Sequence, residues 1–290
     1  MYTIMPKKLV NNIKLSYHRI GKGSPLVLIA GLGMDHMSWL YQIPDFQQNY
    51  TLILPDNRGM GQSSGSDEQY TTKMMADDIA LLLSKLDIKK AHVLGSSMGG
   101  MIAQELALHH PDLVDKLLLC STFSKHPEMI TYLKQGLNQL GNRKKNDFSD
   151  LHADTFTFGP VYDFFLKQVF DETYFKMHES MITNTLQRFI QQDLFVETFL
   201  KQLYAIFHHD TLNRLSQITA DTLVLTGNND RLVPTNCSKV LAEKIPNATL
   251  SVIDDATHVF HIEQPELFNH IIHLFLQNES IPKHYQKRIH

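Results

Sequence analysis

The sequence predicts an α/β fold: a mostly parallel central sheet with flanking helices and an inserted helical segment. Three observations predict it. Short continuous apolar runs ending in Gly, Asp or Ser recur along the chain, as parallel strands buried on both faces would. Stretches with helical spacing separate them, which implies right-handed βαβ units. That alternation is suspended from about Thr122 to Ser216 and then resumes.

Val10, Ile13, Leu15 and Tyr17, followed by the turn signal Gly-Lys-Gly-Ser-Pro, suit a leading hairpin or edge strands. PLVLIAG, TLILPD, AHVLGSS and DKLLLCS then read as buried strands. Between them Met75, Ile79, Leu82, Leu83 and Leu86 fall at three-to-four spacing after Thr72, and a second helix runs from Met98 to His109 before Pro111 stops it. The segment 122–216, rich in Phe, Tyr, Met, Gln and Asn, reads as several helices. Afterwards ADTLVLTGNND and ATLSVIDD restore the strand pattern, with a helix from Pro234 to Ile245 between them and a last helix from Pro265 to Gln277. The expected organisation is therefore a core of residues 1–121 and 217–290 carrying a helical cap at 122–216, with a frayed polar end from Asn278.

Composition narrows the partners. The chain has 290 residues, 43% hydrophobic and 20% charged, with a formal net charge of -3. That balance describes neither a disordered chain nor a coat for a polyanion, so no nucleic-acid partner is expected. The first twenty residues hold no uninterrupted apolar stretch and no small-residue cleavage site, so neither a secretory signal nor a membrane anchor is read there. Cys120 and Cys237 are too few and too isolated for a disulfide framework or a thiolate metal site, and they fit small buried hydrophobes in a reducing, cytoplasmic compartment. Homo-oligomerisation stays open.

The stretch Gly95-Ser96-Ser97-Met98-Gly99 carries the chemistry. A serine is a weak nucleophile until a sharp strand-to-helix turn lifts its hydroxyl off the backbone and beside a base. Small neighbours are needed at such a turn. Glycines flank Ser97 on both sides, whereas centring on Ser96 would require glycine at Leu94 and Met98, so Ser97 is the nucleophile and Ser96 a spacer. The helix that starts after Ser97 presents free N–H groups and a positive dipole end where an oxyanion would form, with Met98 N–H the first donor. A second donor comes from the loop after PLVLIAG, where Leu32 lies between two glycines.

Sixteen histidines compete for the role of base, and position must choose among them. In this architecture the chain order is Ser, then acid, then His, each at the carboxyl end of a strand. Asp230 ends the run TLVLTGNND and His258 follows ATLSVIDDAT. His258 would take the Ser97 proton while Asp230 fixes its tautomer. Asp254 and Asp255 are rival acids, better suited to turn or solvated roles. The His258, His261 and Glu263 spacing matches no zinc signature, so no metal and no cofactor are expected.

Four blocks together resemble the α/β-hydrolases: AGLGMDHMSW, DNRGMGQS, GSSMGGMIAQ, and GNNDRLVP with THVFHIEQPELF. The resemblance spans nearly everything from Lys7 to Gln277 outside the insertion. It implies a structural turn at Asp56, Arg58, Gly59 and Gly61, and a cap whose Phe156, Phe158, Phe164, Phe165, Met177, Met181, Phe189 and Phe199 are candidates to line a pocket. Two positions depart from it: Ala30-Gly31 replaces the common His-Gly of the oxyanion loop, and Thr257 replaces the glycine before the catalytic histidine. The activity implied is a serine hydrolase acting on a small-molecule ester or lactone, closest to carboxylesterases and 3-oxoadipate enol-lactonases. Other chemistry on the same triad is the alternative (C–C bond hydrolysis, thioester cleavage, peptide N-terminal cleavage, perhydrolysis), and a ligand-binding receptor of the same fold is a further one. A serine nucleophile argues against dehalogenase or epoxide hydrolase chemistry.

Overall fold

The computed structural model describes residues 5–125, 166–190, 195–282 and Tyr285. Eight strands form its sheet: β1 (Lys7–Val10), β2 (Ile13–Gly21), β3 (Ser24–Ile29), β4 (Tyr50–Pro55), β5 (Ala91–Ser96), β6 (Val114–Cys120), β7 (Asp221–Gly227) and β8 (Ala248–Ile253). Their spatial order is β1-β2-β4-β3-β5-β6-β7-β8, antiparallel only where β2 meets β1 and β4. The expected leading hairpin is present, but its turn is Asn11-Asn12, not the glycine pair downstream. Val10 pairs with Ile13, and the two asparagines take φ of 40° and 65°, the left-handed pair that a two-residue hairpin turn needs. Gly21 and Gly23 instead carry the chain from β2 into β3, which pairs with β4 and β5.

Strand periodicity divides the core into two layers. Leu28, Leu54, Leu94, Leu118 and Leu225 point to one face, where they meet Phe46 of the short helix α1 (Ile43–Phe46) and Phe268, Ile271 and Ile272. Val27, Ile53, Val93, Leu119 and Val224 point to the other, against Met75, Ile79, Ile102 and Leu241. Met75 and Ile79 stand on α2 (Thr72–Lys85), capped by the Thr71 hydroxyl on Met74 N–H, and Ile102 on α3 (Met98–His109). Two helices described within the 122–216 segment follow, α4 (Glu172–Ile190) and α5 (Phe195–Phe207). The remaining ones are α6 (Thr235–Lys244), α7 (Phe260–Glu263) and α8 (Pro265–Leu276). Among the described residues no helix is long and apolar enough to cross a membrane.

The strand order decides where a ligand can sit. After β3 the chain moves outward to β4, then returns to the other side of β3 as β5. Adjacent loops there diverge, which leaves a crevice at the carboxyl ends of β3 and β5. The Asp56 turn nearby is held by structure: its carboxylate accepts from His36 N–H, the His36 ring and Gln62 N–H, and buried Arg58 makes a two-pronged ion pair with Asp78 at 2.7 Å.

Candidate active site

Ser97 is the single residue between β5 and α3, with φ 56° and ψ -121°. That conformation costs a residue with a side chain about 1–3 kcal/mol and persists only where its surroundings enforce it. Three bonds do so. Ser97 N–H donates to Cys120 O at 2.9 Å, and Ser97 O accepts from Gly100 N–H at 2.9 Å and the Thr122 hydroxyl at 2.8 Å. Glycine is required beside it because a Cβ on Gly95 would strike Gly99 O and one on Gly99 would strike Ile29 O. Ser96 is the last residue of β5, so the bend belongs to Ser97 alone.

The loop after β3 lies directly against the elbow: a Cβ on Gly31 would come within 3.3 Å of Ser97 Cβ. Gly31 O accepts from Met34 N–H at 3.3 Å and Gly33 takes φ 67°, so Leu32 and Gly33 form the centre of a tight turn. Gly33 N–H donates to Gln202 Oε1 of α5 at 2.9 Å, a tie that no local pattern in the sequence marks. Leu32 lines the cavity beside Ser97, and Met98 opens α3, where the first N–H groups have no partner within the helix.

Asp230 and His258 meet. His258 Nδ1 lies 2.9 Å from Asp230 Oδ2, with both side chains almost fully enclosed. The other carboxylate oxygen accepts from Leu232 N–H at 2.9 Å and Val233 N–H at 2.7 Å, which fixes the acid's orientation. The rivals are surface residues: Asp254 accepts from the Asn228 amide, and Asp255 sits in a turn at φ 55° with its N–H on Asn228 Oδ1. Asn228 thereby ties the two loops that carry Asp230 and His258. Thr257, where glycine was the common residue, donates its hydroxyl to Glu263 at 2.6 Å, and the same carboxylate accepts from Asp171 N–H at 2.7 Å.

Ser97 and His258 open into one cavity of about 350 Å³. Its described wall is mainly apolar, from Met34, Met101, Phe123, Phe199, Leu203 and Ile206. Of the cap residues singled out in the sequence, Met181 and Phe199 line it, while Met177 is exposed. Phe156, Phe158, Phe164 and Phe165, and the side chain of Phe189, lie outside the described residues. Burial raises both cysteine thiols, Cys237 to about 11, so both stay protonated; Cys120 is fully buried and Cys237 half-buried.

The family described as the alpha/beta hydrolase fold matches residues 24–265. The chain belongs to that family. This α/β-hydrolase is 30% identical over 258 residues to a Serratia proteamaculans protein named "Putative carbamate hydrolase RutD", covering 87% of this chain and 92% of that one. Among solved structures it is similar to a thermophilic esterase from Thermogutta terrifontis, at 25% identity and TM-score 0.80 over 95% of this chain and 99% of that one. It also shares its fold with the enol-lactonase from Burkholderia xenovorans LB400, at 23% identity and TM-score 0.79 over 94% of this chain and 100% of that one.

Proposed function

We propose that this hydrolase cleaves a carboxylic ester or lactone of a small acyl or alkyl substrate through an acyl-enzyme on Ser97. The observation that carries the reading is the His258–Asp230 hydrogen bond, sealed from solvent, beside a cavity that Ser97 shares. His258 Nε2 takes the Ser97 proton as Oγ attacks the carbonyl carbon, and Asp230 steadies the imidazolium that results. Leu32 N–H and Met98 N–H hold the negative oxygen of the tetrahedral intermediate. Its collapse breaks the C–O bond, and the leaving oxygen takes the proton from His258. Water, deprotonated by the same nitrogen, then attacks the acyl carbon and frees Ser97. A cavity of about 350 Å³ with an apolar wall suits a compact substrate with a hydrocarbon portion. Two free cysteines suit a reducing, cytoplasmic setting.

Carbamate cleavage is the second reading, favoured by the name of the Serratia relative. The same attack would leave a carbamoyl group on Ser97. Purified protein is tested with a fluorophosphonate probe and a panel of esters, lactones and carbamates. Ser97→Ala should abolish labelling and lower turnover by several orders of magnitude. An alanine variant that hydrolyses at the full rate ends the assignment, and preference within the panel decides between the two readings.

A further inference from the structure

We propose that Ser38 and His261 form a polar subsite in the cavity, which binds a second, uncharged hydrogen-bonding group of the substrate, such as a hydroxyl or a carbonyl. The inference rests on the Ser97 reading and extends it to what the substrate carries besides the bond that is cleaved.

Both residues line the cavity, and they are only 7% and 5% exposed. Ser38 lies in the single helical turn His36–Trp39 that follows the oxyanion loop, and His261 is the second residue of α7. The Trp39 ring brings these segments together, with its centre 5.1 Å from that of His261, and Phe268 closes the far side at 5.8 Å. Gln42 pins the histidine's main chain, donating to His261 O at 2.7 Å. The imidazole is thus held in place by its neighbours. Its ring nitrogens, however, have no hydrogen-bond partner among the described residues, and neither has the buried Ser38 hydroxyl.

Leaving such a group unpaired costs about 1–3 kcal/mol, so polar groups facing a cavity favour whatever completes them. A hydroxyl both donates and accepts, and a neutral imidazole donates from one nitrogen and accepts at the other. Burial, followed by the proximity of His258, pushes the His261 ring down to about 3, so it is uncharged at neutral pH. Among the described residues the wall carries no Lys, Arg, Asp or Glu to balance an anion or a cation, which favours a neutral partner for Ser38 and the uncharged His261 ring.

The test compares isosteric ester pairs: methyl ω-hydroxyhexanoate against methyl heptanoate, and ω-hydroxybutyl acetate against pentyl acetate. Together they probe the acyl and the alcohol side. In the wild-type enzyme at least one pair should favour the hydroxyl member in kcat/KM by about tenfold. His261→Phe and Ser38→Ala should each bring that ratio below one. The ratio is internal, so a general loss of activity from disturbing His258 lowers both members alike. Ser38→Ala, a small deletion, decides the matter alone if the phenylalanine variant does not fold. Preference for the alkyl member in both pairs, or a ratio that both variants leave within about twofold of wild type, overturns the subsite. Ser97→Ala on the same esters is the separate arm: persisting turnover there overturns the nucleophile, whatever the ratios show.

Discussion

Asp230→Asn separates a positioning acid from a merely buried one. Asp230 Oδ1 accepts from two main-chain N–H groups, at 2.9 and 2.7 Å, while Oδ2 faces His258 Nδ1 at 2.9 Å. An asparagine keeps its oxygen toward the two amides, because an NH2 group there would oppose two donors. Its nitrogen then faces Nδ1, which must become an acceptor, and the ring proton moves to Nε2. That nitrogen can no longer take the Ser97 proton. The charge-assisted bond is lost as well, about 1.5–3 kcal/mol, together with the carboxylate's stabilisation of the imidazolium. In a Ser-His-Asp triad the wrong tautomer costs about four orders of magnitude in kcat, which is about 5.5 kcal/mol in the barrier. Stability should fall by no more than about 1–2 kcal/mol, since both amide bonds survive and the asparagine N–H replaces the lost bond to Nδ1. Steady-state ester hydrolysis, alongside thermal unfolding, measures both quantities. A folded variant with kcat within about tenfold of wild type would refute the tautomer argument.

Two more perturbations follow from the structure. Gln202→Met preserves bulk but leaves Gly33 N–H without its acceptor; kcat should fall by about tenfold or more with KM nearly constant, since the loop's donor matters only once the oxyanion forms. Unchanged kcat in a folded variant would remove Gln202 from the support of that loop. His209 bears on stability: burial lowers its ring to about 4, and it is hydrogen-bonded to the Thr72 hydroxyl at 2.9 Å. The unfolded chain binds this proton at about pH 6.5 and the folded chain at about 4, so the unfolded state holds more protons between those values and stability falls as pH drops. Its share approaches about 1.4 kcal/mol per pH unit, about 3 kcal/mol in all. Denaturant titrations between pH 7 and 5 should show a shallower decline for His209→Gln, and parallel declines would exclude His209 as the cause.

Sequence reading succeeded where a signal is local. The strands and the bend at Ser97 follow from apolar runs and glycine spacing, set by the backbone close to each residue, whereas the Asp230–His258 contact follows from chain order. Gln202 could not be read this way, because its partner Gly33 lies 169 positions earlier and nothing in the pattern of α5 marks a buried amide there. Ser38 and His261 escaped for the same reason: each stands in a mixed apolar stretch, and tertiary contacts of Trp39 and Gln42 bring the two segments together. Asn11-Asn12 is a different kind of miss. Asparagine tolerates the left-handed conformation that the turn needs, but less readily than the glycines ten residues on, so the weaker of two turn signals closes the hairpin.

Convergence of such distant residues needs no special device beyond strand adjacency. β3 and β5 are neighbours, so the Leu32 turn and the Ser97 elbow leave the sheet side by side; β7 and β8 are neighbours, so the Asp230 and His258 loops do the same. β6 lies between the pairs, and its end supplies both anchors of the elbow, Cys120 O and, two residues on, the Thr122 hydroxyl. The strain at Ser97 is therefore held by a strand that contributes none of the proposed catalytic groups. Thr122→Val, which removes the side-chain anchor, should accordingly relax the serine and slow acylation in single-turnover ester hydrolysis while leaving the His258–Asp230 bond intact.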